Sequence, residues 1–219
     1  MASLKNSIRL KKLKPNIYCI IVSNTQLLAK VFIRLQEFYE SPYKEINRQH
    51  FTLAQFKKIY AKHKHGEFTY YTDWTGFNIP GNIVIEFFER FKDLSPKERH
   101  LKTLLVEALQ SSDKFYVIGV PRLFNSDIVS HEFAHALYYT VPSFKKIMLA
   151  ASRKLSKRVK KQIFIKLREI GYSRAVLFDE LQAYMSTIKM KDVQGFFGKG
   201  IKKSHIIPFR RILKKFYHD

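Results

Sequence analysis

Apolar positions along the chain change period, and the changes mark its elements. Ile17 to Val22 is a short continuous apolar run of strand length. From Asn24 onward the spacing becomes helical, with Leu27, Leu28, Val31, Phe32, Leu35, Phe38 and Tyr39 on one side and Glu40-Ser41-Pro42 as the stop. Thr52-Leu53-Ala54-Gln55 has the form of a capping box and predicts a short helix to about Lys62. Ser95-Pro96-Lys97-Glu98 is a stronger one, with Pro at the first helical position, for a helix through about Gln110. Between them, Tyr70 to Asn82 gathers Asp73, Trp74, Gly76, Asn78, Pro80 and Gly81, an irregular aromatic segment that either shapes a cleft or folds over the core. Lys114 to Val120 is the clearest strand, and its Gly119 fits either close backbone approach or a bulge.

Past that strand the pattern is helical. Asn125-Ser126-Asp127 offers capping oxygens, Ile128, Val129, Phe133, Ala134 and Leu137 supply a buried flank, and Val141-Pro142 ends a helix of about residues 127 to 140. Lys145 to Arg168 holds ten basic residues and no acidic one. They are interleaved with Ile147, Leu149, Leu155, Val159, Ile163, Phe164 and Leu167, as in amphipathic helices that expose a cationic face. Phe178 to Tyr184 is a further helical segment, Gly195, Gly198 and Gly200 mark a joint, and Phe209, Ile212, Leu213 and Phe216 share the apolar face of a basic terminal helix. The expected fold is α+β, without internal repeats. An N-terminal α+β region is placed at 1–95, a catalytic region at 96–190 with a basic helical insert at 144–170, and a basic C-terminal segment at 191–219.

Composition narrows this picture. A chain of 219 residues with 46% hydrophobic and 15% aromatic content buries a sizeable core and is not disordered. Its single cysteine, Cys19, excludes an internal disulfide framework and points to a reducing compartment. No stretch approaches the roughly eighteen apolar residues of a membrane span, and Ile17 to Val22 is short for a signal-peptide core. The expectation is a soluble, cytoplasmic protein. A formal charge of +22 favours anionic partners, whether nucleic acid, an anionic membrane surface or an acidic protein.

The candidate chemistry lies in His131-Glu132-Phe133-Ala134-His135. Residues four apart share a helical face, so two imidazoles can grip one metal ion, and Glu132 is placed to take a proton from a water rather than to ligate. A catalytic zinc usually takes a third protein ligand. The adjacent carboxylates Asp179 and Glu180 are the best candidates. His63, His65, His100, His205 and His218 carry no assigned role.

An HExxH motif followed at a distance by Glu180-Leu181-Gln182-Ala183 resembles the gluzincin branch of the zincin metallopeptidases, over roughly residues 114 to 188. The resemblance implies that Glu180 is the third ligand and that Ala183 lets two helices pack closely. One turn after the ligand, where gluzincins often carry an Asp that supports a metal-binding His, this chain has Tyr184. Support then falls to Tyr184, Asp179 or another group. The metzincin branch would want a His where Val141 stands. The zincin-like fold so implied is a small mixed sheet with an upper-rim strand over the HExxH helix and a mostly helical C-terminal lobe. An extended substrate would add to that strand's free edge at Phe115, Tyr116, Val117, Ile118 and Gly119.

The reaction implied is peptide hydrolysis with one Zn2+ held by His131, His135 and Glu180 and with Glu132 as general base. Tyr184, or one of Tyr138, Tyr139 and Tyr172, would donate to the oxyanion. The substrate would be a protein or peptide. The alternatives are a basic protein that binds nucleic acid or an anionic surface, and an inactive zincin serving as a binding module.

Overall fold

The structure is a computed structural model that describes residues 2–111, 114–123 and 126–218. It is α+β and forms two compact units, Met1–Phe124 and Asn125–Asp219. The helix predicted after Ser95 and the strand before the HExxH motif thus belong with the N-terminal residues, beyond the boundary expected near residue 95.

In the first unit, α1 (Ala2–Ser7) leads into β1 (Ile8–Lys14) and β2 (Ile17–Val22). These are followed by α2 (Thr25–Glu40), α3 (Leu53–His63), the short α4 (Tyr70–Asp73) and β3 (Phe77–Pro80). Helices α5 (Gly81–Arg90), α6 (Pro96–Leu104) and α7 (Val106–Gln110) then precede β4 (Tyr116–Pro121). The sheet order is β1-β2-β4-β3, with β2 and β4 parallel and the outer pairs antiparallel.

Local chemistry accounts for the helix starts. The Asn24 side chain accepts from the Leu27 amide at 2.8 Å, and both Thr52 and Ser95 form the reciprocal capping boxes that their sequences predict. The helix predicted from Ser95 to Gln110 is broken at Leu105, giving α6 and α7. The irregular segment from Tyr70 to Asn82 lies on the core: Tyr70, Phe77 and Ile79 are buried, and Trp74 leans on Tyr70 and Phe77.

Strand β4 corrects one expectation. It is an interior strand, paired with β2 along its length and with β3 from Tyr116 to Gly119. The Phe115 carbonyl is also taken, by the Gly81 amide at 2.7 Å. Phe115, Tyr116, Val117, Ile118 and Gly119 therefore offer no free edge to an extended substrate; they are core. Gly119 is there for space, since a Cβ at this position would stand 2.6 Å from the Phe32 ring, which stacks on Phe77 at 5.2 Å. Gly119→Ala is expected to cost about 1–3 kcal/mol by overpacking, read as a lower urea midpoint at unchanged slope.

One buried charge is held among these aromatics. Arg34 on α2 donates to both carboxylate oxygens of Glu98 at 2.7 and 2.6 Å and to Asp93 at 2.9 Å, and its guanidinium lies 5.0 Å from the Phe91 ring centroid. Glu98 also accepts from the Ser95 amide at 2.6 Å, so one carboxylate caps α6 and neutralises α2. Truncating Arg34 strands that carboxylate in the core. Arg34→Ala is expected to destabilise the first unit by about 3–5 kcal/mol in urea unfolding.

The described residues of the second unit are helical. They comprise α8 (Ser126–Thr140), α9 (Pro142–Lys154), α10 (Lys157–Glu169), a 3-10 turn (Arg174–Val176), α11 (Leu177–Thr187), α12 (Val193–Phe197) and α13 (Lys203–His218). Helix α11 packs against α8, α9, α10 and α13. Asn125 and the side chains of Ser126, Asp127 and Ile128, read as the start of α8, lie outside the described residues. The basic insert is the amphipathic pair α9 and α10. Phe144, Met148, Val159, Ile163 and Leu167 are buried, most of the cations are exposed, and Ile147, expected on the apolar side, is exposed as well. The glycine-rich joint rests on α10, where Gln162 donates to the Phe197 carbonyl at 2.6 Å and Gly198 and Gly200 leave room for its side chain. The terminal helix docks through Phe209 and Leu213, both buried, and through Phe216 against Phe144. Among the described residues no helix is long and apolar enough to cross a membrane.

Candidate metal centre

Helix α8 buries Phe133, Ala134, Ala136 and Leu137, which turns His131 and His135 together toward α11. Helix α11 buries Leu181, Gln182, Ala183 and Met185, and carries Glu180 on the side that meets them. Gln182 ties the helices by donating to the Ala134 carbonyl at 3.2 Å, and Ala183 is fully buried. Among the described residues, His131, His135 and Glu180 bring one ligand atom each within 4.8 Å of the others.

The hydrogen bonds on the far side of each ring decide which nitrogen faces the group. Thr187 spends its hydroxyl proton on the Ala183 carbonyl at 2.7 Å, so at 3.2 Å from His131 Nδ1 it can only accept. Asp179 likewise accepts from His135 Nδ1 at 2.9 Å, and Gln182 donates to the same Asp179 oxygen at 3.0 Å. Both rings thus carry hydrogen on Nδ1, and the two Nε2 atoms face each other at 3.2 Å. Glu180 places Oε1 3.6 Å from the Nε2 of His135 and Oε2 3.9 Å from that of His131.

Such a cluster of acceptors needs a cation. His135 is 4% exposed, and burial opposes its charge, but Asp179, Glu180 and Glu132 outweigh that effect and raise it to about 10. Burial, reinforced by the charge of His135, pushes His131 down to about 3. The pair therefore shares one proton, held on His135 and donated to His131. Burial lifts Glu180 to about 7, with His135 opposing and Asp179 and Glu132 adding to the rise. Its Oε2 is buried without a hydrogen-bond partner. Two imidazole nitrogens on one tetrahedral zinc, at 2.0–2.1 Å each, stand about 3.3 Å apart. The spacing in the protein, the orphaned carboxylate oxygen and the all-acceptor donor set fit a divalent ion.

The remaining predicted residues surround this group. Glu132 is half-buried, and its charge is felt by His135, Glu180, Tyr172 and Tyr184. Tyr184 sets its ring edge-on to His131 at 4.8 Å, stacks on Phe196 at 5.0 Å and turns its hydroxyl to that of Tyr172, 3.4 Å away. Burial raises both phenols, Tyr172 the more strongly, so both stay protonated donors. Tyr138 is buried with Lys145 over its ring, and Tyr139 is half-buried. Sequence reasoning missed Thr187 and Gln182. Their signal was helical spacing, since Thr187 falls two turns after Glu180 and Gln182 three residues after Asp179.

An ion taking these three donors must displace the proton on His135. Affinity for zinc is expected to rise with pH below about 10, with proton release visible as a buffer-dependent heat in titration calorimetry. Asp179→Ala, which frees the His135 ring, is expected to weaken that affinity about 10–100-fold.

In comparisons with known proteins, the chain matches no family model, no curated protein and no solved structure.

Proposed function

We propose that the second unit is the catalytic part of a gluzincin-like zinc metallopeptidase, with His131, His135 and Glu180 as metal ligands. The observation that carries this reading is the convergence of two Nε2 atoms and a buried carboxylate, with each imidazole fixed from behind by Thr187 or Asp179. Asp179, immediately before the ligand, takes the supporting role that the resemblance usually gives to a residue one turn after it. When bound, a zinc ion supplies Lewis acidity, lowering the pKa of a water from about 15.7 toward 7 and polarising a carbonyl.

The chain's own residues do the proton work. Glu132, one residue past the first ligand, accepts a proton on its carboxylate as water attacks the peptide carbonyl. It then delivers that proton to the departing amine nitrogen. The hydroxyls of Tyr172 and Tyr184 are the nearby neutral donors for the oxyanion. Since β4 offers no free edge from Tyr116 to Gly119, substrate alignment falls to the second unit's own surface. The lone Cys19, buried in the sheet, fits a chain that works in a reducing compartment such as the cytoplasm.

Elemental mass spectrometry of purified protein is expected to give near-stoichiometric zinc, lost in His135→Ala and Glu180→Ala. Glu132→Gln should keep the metal and lose turnover by a factor of about 10²–10⁴. A wild-type chain that takes up no zinc when zinc is supplied would overturn the reading. A second reading, binding to nucleic acid, has the cationic faces of α9 and α10 in its favour and would show as steeply salt-dependent affinity.

A further inference from the structure

Where α13 packs along α9 in the second unit there is a groove of about 670 Å³. Its α9 wall is a single helical face, Ile147, Ala150, Ala151 and Lys154, and the two alanines leave it hollow where longer side chains would fill it. Leu155 and Phe209, both buried, form the floor, and Ile147, 41% exposed, stands at the rim. Phe216 meets Phe144 at 5.1 Å, so α13 runs back along α9, and the far end of the groove gathers Lys154 with Ser204 and His205. The Lys202 amide donates to His205 Nδ1 at 3.0 Å, which puts the hydrogen of the neutral ring on Nε2 and makes that atom a donor. Lys154 and Arg211, both exposed, have no ion-pair partner among the described residues, and no carboxylate lines the groove. It is thus apolar along its length and rich in donors at one end, the layout of a site for an aliphatic chain with an acidic head.

We propose that this groove binds a free medium-chain fatty carboxylate, with its tail along Ala150, Ala151 and Phe209 and its carboxylate at Lys154, Ser204 and His205. The wall from Ile147 to Leu155 is about 12 Å long at the helical rise. An extended chain advances about 1.2 Å per bond, a third of the advance of one extended residue, so about ten carbons span it. Other occupants fit less well. A second copy would bring the same cations against Lys154 and Arg211, and a flat bilayer would touch Ile147 without reaching the floor at Phe209. The groove contains none of the metal group's residues, so binding is expected with or without zinc and stands apart from the peptidase reading.

The test is calorimetric titration of the full-length protein with decanoate, below the concentration at which it forms micelles. Saturable binding to a single site is expected. Octanoate, shorter by two methylenes, should bind roughly ten- to twentyfold more weakly. Decyltrimethylammonium, with the same tail and the opposite charge, should lose at least about tenfold. Lys154→Ala is expected to weaken decanoate by about three- to tenfold, and Lys146→Ala, on the same helix outside the groove, to leave it unchanged. Ala150 is exposed, so Ala150→Leu adds its branch to the open space rather than to the core; it should abolish binding in a chain that urea unfolding shows to be folded. Absence of saturable decanoate binding, equal affinity for decyltrimethylammonium, or wild-type affinity in folded Ala150→Leu would each overturn the proposal. So would binding to phosphatidylglycerol vesicles, or dimers seen by light scattering, that Ala150→Leu abolishes while decanoate binds neither protein; the occupant would then be a bilayer or a second copy.

Discussion

Two imidazole Nε2 atoms that face each other at 3.2 Å in a desolvated place need a cation to hold them there, a proton shared between the rings or a metal ion that replaces it. That constraint orders the second unit. It sets the tautomer of both histidines, requires the acceptors Thr187 and Asp179 behind them, and makes sense of a buried Glu180 with Asp179 and Glu132 beside it in a protein of formal charge +22. The short His135–Asp179 contact is the anchor, because it spans α8 and α11 and is itself braced by Gln182, which reaches the Ala134 carbonyl as well. Helix packing and ligand geometry are thus specified by the same few side chains.

Charge is divided with a purpose in the same unit. Carboxylates gather at the meeting of α8 and α11, while cations take the solvent faces of α9 and α10. A negative inner cluster favours a divalent ion, and the basic helix faces set up a positive field around it. Neither property would survive if the signs were mixed, since screening by neighbours of opposite charge would cancel both fields at short range.

Much of this was legible in the sequence. The capping residues Asn24, Thr52 and Ser95 announce their helices through local hydrogen bonds, and the four-residue spacing of His131 and His135 suffices to put them on one face. What the sequence withheld was pairing. Tyr116 to Gly119 reads as a strand, but only the partners on both sides, β2 and β3, make it an interior strand, and β3 was hidden in a segment dense in Gly and Pro. The choice of Asp179 over Tyr184 as the support of His135 depends on the angle at which α11 meets α8, which no spacing encodes.

The two outer strands of the sheet differ in how they end it. β3 is four residues long and closes on Pro80, which has no amide hydrogen to offer a neighbour. β1 is longer, but Arg9, Lys11, Lys12 and Lys14 crowd it with cations, and its register slips between Lys12 and Lys14. A second copy of the chain approaching either margin would meet a missing donor on one side and like charge on the other. The sheet is thereby guarded against growing by self-association, the usual hazard of a strand-rich core in a crowded cell.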